Sequence, residues 1–421
     1  MKQRVINTVL VLVLALNLYV GTRHSLKSAE AVGDANVYGQ MHKFSTVLEE
    51  VRKHYVDETK VGYENLFDGA MDGMLKKLDK NSAYLNVKKH EILQSDTQQQ
   101  FGGIGVLISI RTEWLTVIEP MPGGPSLKAG VLSGDKIIKI GDKSTKDFKI
   151  QDAVDLLRGE PGTKVTITVR RGKDEEKVIE IERAIIKTKS VRDLFMRGDF
   201  KLLENGIGYV RLTSFSGKTA TELEDALAQM ETAGMKALIM DLRGNPGGLL
   251  SQSALVTEKF VKSGQLIVST EGRGGQLQDK LFATARTHRT LPMVILVNGN
   301  SASASEIVAG CLQDLKRAEL VGMKTYGKGS VQTILPLRDG SAIRITTAKY
   351  YTPSHRIIHE QGIEPDHKVE MTDDQMRDIF LQRSPGGYGH LSEEDQARVK
   401  AAKDLQLENG LELLREKIKA N

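Results

Sequence analysis

The chain has 421 residues, 40% hydrophobic and 27% charged, an ordinary globular composition long enough for two or three domains. Its 59 basic and 54 acidic residues leave a formal net charge of +5, and no basic run interleaves with the 10 Phe, 10 Tyr and one Trp, which argues against a nucleic-acid partner. The single cysteine, Cys311, excludes an intramolecular disulfide and a cysteine-based zinc site.

Lys2 and Arg4 precede an apolar run over residues 9–16, and Ala29-Glu30-Ala31 is an A-x-A-like stretch. Residues 1–31 are therefore expected to be a secretory signal or, because Arg23, His24 and Lys27 intervene, an uncleaved membrane anchor. Either implies export to the cell envelope or periplasm. In residues 36–97, Phe44, Val47, Leu48, Val51 and Tyr55, then Leu66, Ala70, Met74 and Leu78, recur at helical spacing and predict an amphipathic pair with one buried stripe.

From 98 to 184 the texture changes to short β runs punctuated by glycine, with strands expected at 106–110, 115–118, 137–140 and 165–169. Ile150, Ala153, Val154 and Leu157 share one helical face between them. A half-open β module with one helix beside an edge strand suits capture of a peptide by strand addition. From 190 to 372, strands at 207–212, 237–242 and 293–297 alternate with helices at 219–230, 249–260 and 304–315, which predicts α/β layering around a central sheet. Residues 330–337 and 342–347 form a hairpin across Asp339-Gly340. The charged tail, 373–421, breaks at Ser384-Pro385-Gly386-Gly387 and returns to helix from Ser392.

Three glycine-rich turns lie at strand ends. Asp241 to Gly248 follows a buried strand and opens a helix, so its amides can meet an anion or oxyanion, with a plain turn as the even alternative. Ser301 to Glu306 occupies a similar corner; a serine there is exposed as in a nucleophile elbow, although Ser is also a favoured helix cap and no His/Asp pair stands nearby in sequence. Gly322 to Ser330 approaches the phosphate-loop pattern, but Gly329 replaces the required Ser/Thr and a hairpin follows instead of a helix. What remains is Lys328 on a tight turn, a base if desolvated and a solvated surface residue otherwise. His355, His359, Asp366 and His367 lack a metal-binding motif, and no metal is expected. Cys311 reads as a small buried side chain.

Ser301-Ala302-Ser303-Ala304-Ser305-Glu306-Ile307, Ala309-Gly310, Gln313-Asp314 and Gly327-Lys328-Gly329-Ser330-Val331-Gln332 closely resemble the carboxyl-terminal processing, or tail-specific, proteases. The Asp241 to Gly248 turn, Tyr350-Tyr351-Thr352-Pro353 and Gly362-Ile363-Glu364-Pro365-Asp366 match the same family, over residues 40 to 370. The resemblance implies an α/β (α+β) fold: a ClpP/crotonase-like serine protease core at 190–372, an inserted PDZ module at 98–184, and helical N- and C-terminal segments. It makes Ser303 the nucleophile, Lys328 the general base 25 residues on, and Gln332 the group that orients the lysine. The oxyanion hole would combine the Ala304 amide with that of Gly247 or Gly248. Gly102, Gly103, Ile104 and Gly105 match the loop that binds a substrate's terminal carboxylate, and Arg158 stands where a regulatory arginine is expected, with a solvated arginine as its equal alternative. Polypeptide substrates held by their C-termini, an adaptor or activator protein and self-association are implied; no cofactor is.

Two departures mark local loops: Leu78-Asp79-Lys80-Asn81-Ser82 replaces a Pro-His pair common in the family, and His355 stands where glycine is usual. Two other functions compete. A PDZ adaptor on a dead α/β body gives no reason to keep Ser303, Lys328 and Gln332 together. A crotonase-like acyl-CoA enzyme predicts carboxylates in the glycine turns and no PDZ module.

Overall fold

The computed structural model describes residues 37–97, 100–111, 113–121, 123–172, 175–384, 388–389 and 391–420; the expected signal or anchor and residues 385–387 of the tail break lie outside them. The chain divides into two units, Met1–Met74 and Leu75–Asn421. In the first, helices Val37–His54 (α1) and Tyr63–Lys76 (α2) form where the spacing predicts. Their stripe is not buried, however. The Phe44 and Phe67 rings meet at 6.0 Å, but α1 buries no residue. Two helices alone cannot cover an apolar face of that width.

The second unit opens with Ala83–Leu85 (β1) and Val87–Thr97 (α3), then the β module. Its elements are Gln100–Gly103 (β2), Val106–Arg111 (β3), Trp114–Pro120 (β4), Pro125–Lys128 (α4), Lys136–Ile140 (β5), Lys143–Ser144 (β6), Ile150–Leu157 (α5), Lys164–Arg171 (β7), Glu175–Glu182 (β8) and Ala184–Lys187 (β9). The sheet runs β3-β4-β5-β7-β8, so β3 is an edge strand; β2 pairs with β9 apart from it. Alternate residues of β7 point inward, and Val165, Ile167 and Val169 join Leu115, Val117 and Ile137 in one core. The helix α5 starts where the Asp152 carboxylate accepts the Lys149 amide at 2.9 Å and buries Ala153 and Leu157 on this core.

The remaining elements are Val191–Arg192 (β10), Ile207–Leu212 (β11), Thr219–Thr232 (α6), Ala237–Asp241 (β12), Leu250–Thr257 (α7), Leu266–Glu271 (β13), Leu277–Phe282 (β14), Met293–Val297 (β15), Ala304–Asp314 (α8), Glu319–Gly322 (β16), Ser330–Pro336 (β17), Ala342–Tyr351 (β18), His367–Lys368 (β19), Asp373–Arg383 (α9), Glu393–Ala401 (α10) and Leu405–Ala420 (α11). Strands β10-β11-β12-β15-β16-β19 form the central sheet, parallel throughout except at β10. Strands β12 and β15 bury every residue, the pattern of parallel strands covered on both faces. One face carries Leu223, Leu227, Val256, Ile307 and Leu312 from α6, α7 and α8. The other is closed by the tail, with Leu407 and Leu414 of α11 against Ile239, Val294 and Leu296.

A second, antiparallel sheet runs β1-β18-β13-β14, with β17 on the other side of β18. The predicted hairpin is β17 and β18; β18 continues to Tyr351 because Ser269, Thr270 and Glu271 of β13 pair with its far end. This hairpin and the C-terminal ends of the parallel strands face each other across the site. Among the described residues, no helix is long and apolar enough to cross a membrane.

Candidate active site

Strand β15 ends at Val297, and the chain turns through Ser301 and Ala302 into α8 with Ser303 at the N-cap position. Ser303 has φ 56° and ψ −114°, a left-handed conformation that a serine adopts at a cost of about 1–3 kcal/mol. Such strain needs support. The Ser303 amide donates to Glu306 Oε2 at 2.8 Å, the Ala302 amide to the Asn245 carbonyl at 3.0 Å, and Ser305 Oγ to the same carbonyl at 2.9 Å. Burial pushes the Tyr350 hydroxyl pKa up to about 12, and the Ser303 side chain opposes that rise.

Glu306 joins this corner to the lysine turn. Its Oε1 accepts Thr325 Oγ1 at 2.6 Å and the Gly327 amide at 2.7 Å, and its Oε2 accepts the Lys328 amide at 2.8 Å as well as that of Ser303. The residue is fully buried; burial raises its pKa, while these donors, Thr325 foremost, oppose the rise. The turn itself needs its glycines. A Cβ on Gly329 would lie 2.2 Å from the His359 amide nitrogen, and Gly327 has φ 86°. The Lys328 ammonium is held below the usual lysine range, chiefly by burial, then by the positive charges of Arg344 and Lys80; Tyr326 and Glu306 oppose.

The Asp241 to Gly248 turn lies against Ser303. A Cβ on Gly247 would meet Ser303 Cβ at 2.7 Å, and one on Gly248, at φ 147°, would lie 2.1 Å from the Phe215 carbonyl oxygen. The two glycines differ in their amides. The Gly247 amide donates to Asn245 Oδ1 at 2.9 Å, whereas neither the Gly248 nor the Ala304 amide has an acceptor among the described residues. A carboxamide two residues upstream thus decides which glycine N–H is free, a choice that composition of the turn leaves open.

Gln332 lies on β17 in the cavity that holds Ser303, Gly247 and Gly248. Its Nε2 donates to Ser330 Oγ at 2.8 Å, with Asn81 Nδ2 at 3.5 Å from the same oxygen. No hydrogen bond joins Lys328 Nζ to Ser303 or Gln332 among the described residues. The segment that departs from the family pattern forms a wall of this region: Lys80 Nζ reaches the Tyr326 hydroxyl at 3.2 Å, and Arg344 Nε donates to the Asn81 carbonyl at 2.9 Å. The cavity measures about 1190 Å³ and is largely apolar, with Leu250, Leu255, Leu281, Phe282 and Ile334 in its walls.

Residues outside the expected set complete the site. Asn245, Glu306, Arg344 and Tyr350 reach it; Asn245 and Tyr350 lie in motifs of the resemblance, Glu306 carries in addition the S-x-x-E of a capping box, and Arg344 carries no local signal. The histidines do not converge: His355 pairs with Glu271 and His367 with Glu319, and no group of three or more His, Cys, Asp or Glu among the described residues could hold a metal. Cys311 is buried, and its thiol pKa is pushed up to about 12 by burial and by Asp314.

In the β module, the loop Gly102 to Gly105 leads directly into the edge strand β3, against which α5 packs. A Cβ on Gly102 would stand 2.0 Å from the Gly159 carbonyl oxygen, so that position admits only glycine. The Gly105 carbonyl accepts Ser126 Oγ at 2.6 Å and the Met121 amide at 2.9 Å. Leu107 on β3 and Ile150 on α5 stay exposed along the groove. Arg158 caps the end of α5, with its guanidinium 4.3 Å from the Phe101 ring centroid.

The Peptidase family S41 profile matches residues 206–369, and a PDZ domain profile matches 116–171. A carboxy-terminal-processing protease of Bartonella bacilliformis is 41% identical over 345 residues, covering 80% of this chain and 76% of that protein. The carboxy-terminal processing protease CtpA of Bacillus subtilis is 33% identical over 362 residues, 85% of this chain and 75% of its own length. Among solved structures, the photosystem II D1 C-terminal processing protease shares 28% identity over 78% of this chain and 92% of its own, with a TM-score of 0.46.

Proposed function

The chain belongs to peptidase family S41, as a serine peptidase of the carboxy-terminal processing type, and on that premise we propose that Ser303 is its nucleophile and Lys328 its general base. The observation that carries this reading is the single carboxylate of Glu306, which accepts amides from both residues. It brings two segments with no local reason to meet into one site.

The chemistry follows from the groups. Neutral Lys328 Nζ takes the Ser303 hydroxyl proton as Oγ attacks the scissile carbonyl carbon. The oxyanion that forms is bound by the Gly248 and Ala304 amides, which have no acceptor among the described residues. The resulting lysine ammonium then protonates the leaving amine, and an acyl-enzyme remains for water to hydrolyse. Gln332, which lines the cavity, would orient Lys328 by turning its carboxamide from Ser330. The PDZ domain would present the substrate: the Gly102 to Gly105 amides take a free terminal carboxylate, and the tail adds to the edge of β3 beside α5. Arg158, stacked on Phe101 next to that loop, would sense the occupied groove. The charged start and apolar run before residue 20 support an exported enzyme, at work in the cell envelope.

The test uses an unfolded protein ending in apolar residues, incubated with the wild type, Ser303→Ala and Lys328→Ala. Cleavage lost in both variants is expected. Equal cleavage by all three refutes the assignment, and binding without cleavage by the wild type makes the protein an adaptor.

A further inference from the structure

A buried charge cluster, Asp241, Arg243, Asp404 and Arg383, lies outside the chemistry just described. Arg243, third residue of the oxyanion turn, has a fully buried side chain. Its Nη2 pairs with Asp241 Oδ2 at 2.7 Å and with Asp404 Oδ2 at 2.8 Å, while Nη1 reaches Asp404 Oδ1 at 2.8 Å and Gln406 Oε1 at 3.1 Å. Asp404 also pairs with Arg383 at 2.8 Å and accepts the Leu407 amide at 3.0 Å, so it caps the start of α11. Asp241 takes a further bond from the Tyr209 hydroxyl at 2.6 Å.

Stability is a poor explanation for this cluster. Ions withdrawn from water lose about as much as they regain from each other, and apolar groups of similar shape often serve a core better. Its position says more. The Arg243 main chain leads within two residues to Asn245, whose side chain holds the Gly247 amide and whose carbonyl holds Ala302. The Gly244 amide is tied to Asn298 Oδ1 at 2.9 Å, beside the serine corner. Among the described residues, the guanidinium is the side chain of this turn that hydrogen-bonds to the tail. Asp404 lies beyond residue 369, where the family match ends.

We propose that Asp404 is a positioning residue: through Arg243 it latches the C-terminal segment to the turn that carries Gly248 and so fixes the oxyanion donors. This rests on the reading of Ser303 and Gly248 given above. The bidentate pairing sets direction as well as distance, since the planar guanidinium can satisfy Asp404 in one orientation only. Burial works against ionisation of Asp241 and Asp404, yet the Arg243 charge overrides it and holds both carboxyls below the usual range. The tail, on this view, is part of the catalytic framework.

The experiment uses the full chain with Asp404→Asn, and a charge-balanced second variant, Asp404→Asn with Arg383→Gln. A displacement of about 1 Å at the reacting atoms costs on the order of 100-fold. Both variants should therefore lose kcat by about 30- to 100-fold with KM within about twofold, and a peptide boronate that mimics the tetrahedral adduct should bind more weakly in the same proportion. Lys419→Ala, which removes an exposed tail charge, should match the wild type. A lowered Tm with wild-type kcat and boronate affinity in either folded variant overturns the proposal, and so does failure of both to fold, which would make the latch a folding element. Ser303→Ala run in parallel separates the two claims: if it keeps activity the nucleophile assignment fails, whereas its inactivity beside a fully active Asp404→Asn sinks the latch alone.

Discussion

The backbone amide of Lys328 donates to Glu306 Oε2 at 2.8 Å, the same oxygen that holds the amide of Ser303. Only an ionised carboxylate accepts from all its neighbours here. Glu306→Gln places an NH₂ group against N–H donors, loosens both segments at once, and should lower kcat about 100-fold with little change in KM. Steady-state kinetics on a peptide substrate check this; an unchanged kcat removes Glu306 from the account.

Gly248 is the free donor because Asn245 occupies the Gly247 amide. Gly248→Ala brings a Cβ against the Phe215 carbonyl at 2.1 Å and displaces that donor. Loss of one oxyanion donor costs about 100- to 1000-fold in kcat. Asn245→Ala should act differently: it frees the Gly247 amide and removes the buried bond from Asn245 Nδ2 to the Leu212 carbonyl, so its loss should appear with lowered thermal stability. Kinetics and melting curves on the two variants distinguish them.

The pH dependence follows from Lys328. Burial, then Arg344 and Lys80, lower its pKa below the ordinary 10.5, and only the neutral amine serves as base. So kcat/KM should fall as pH drops through that lowered value. The stability sign is opposite to that of a salt-bridged lysine. The unfolded chain binds the proton more tightly, so folding stability rises with pH between the folded and the unfolded pKa, and the buried lysine is a burden at neutral pH. Lys328→Met should abolish cleavage and raise Tm at pH 7 by about 2 °C or more, as measured by calorimetry. A lower Tm contradicts the burial argument.

The groove makes a claim about substrates. If the Gly102 to Gly105 loop takes a terminal carboxylate, the wild type should cleave a protein with a free C-terminus faster than the same protein amidated there. Gly102→Val, whose Cβ would stand 2.0 Å from the Gly159 carbonyl oxygen, should erase that preference through KM. Paired kinetics on the two substrates decide it, and a preference retained in the variant places tail recognition elsewhere.

Much of this architecture was legible in the residues because its signals are local. Buried strands such as Ala237–Asp241 and Met293–Val297 announce themselves as apolar runs, and the glycine turns mark where they end. The serine corner was legible as a place but ambiguous as a role, since a cap and a nucleophile occupy the same position on α8. The features without a local signal depend on long-range contacts. The stripe of α1 looks buried by spacing, yet nothing in its own unit covers it. Gln332 bonds Ser330 rather than the lysine because Ser330 lies two residues away on the same strand. The choice between Gly247 and Gly248 needs the fold of the Asn245 side chain, and the Asp404–Arg243 pair spans 161 residues.

The central claim is that Ser303 acts as a nucleophile because Lys328 is neutral when the site is assembled. The most direct measurement is the rate at which a fluorophosphonate labels Ser303, followed by peptide mass spectrometry across pH. The account predicts labelling on Ser303 alone, rising with pH through a midpoint below 10.5, and at least about 100-fold slower in Lys328→Ala with that midpoint gone. Labelling at another serine, or a Lys328→Ala variant that labels at the wild-type rate with the same pH dependence, contradicts it.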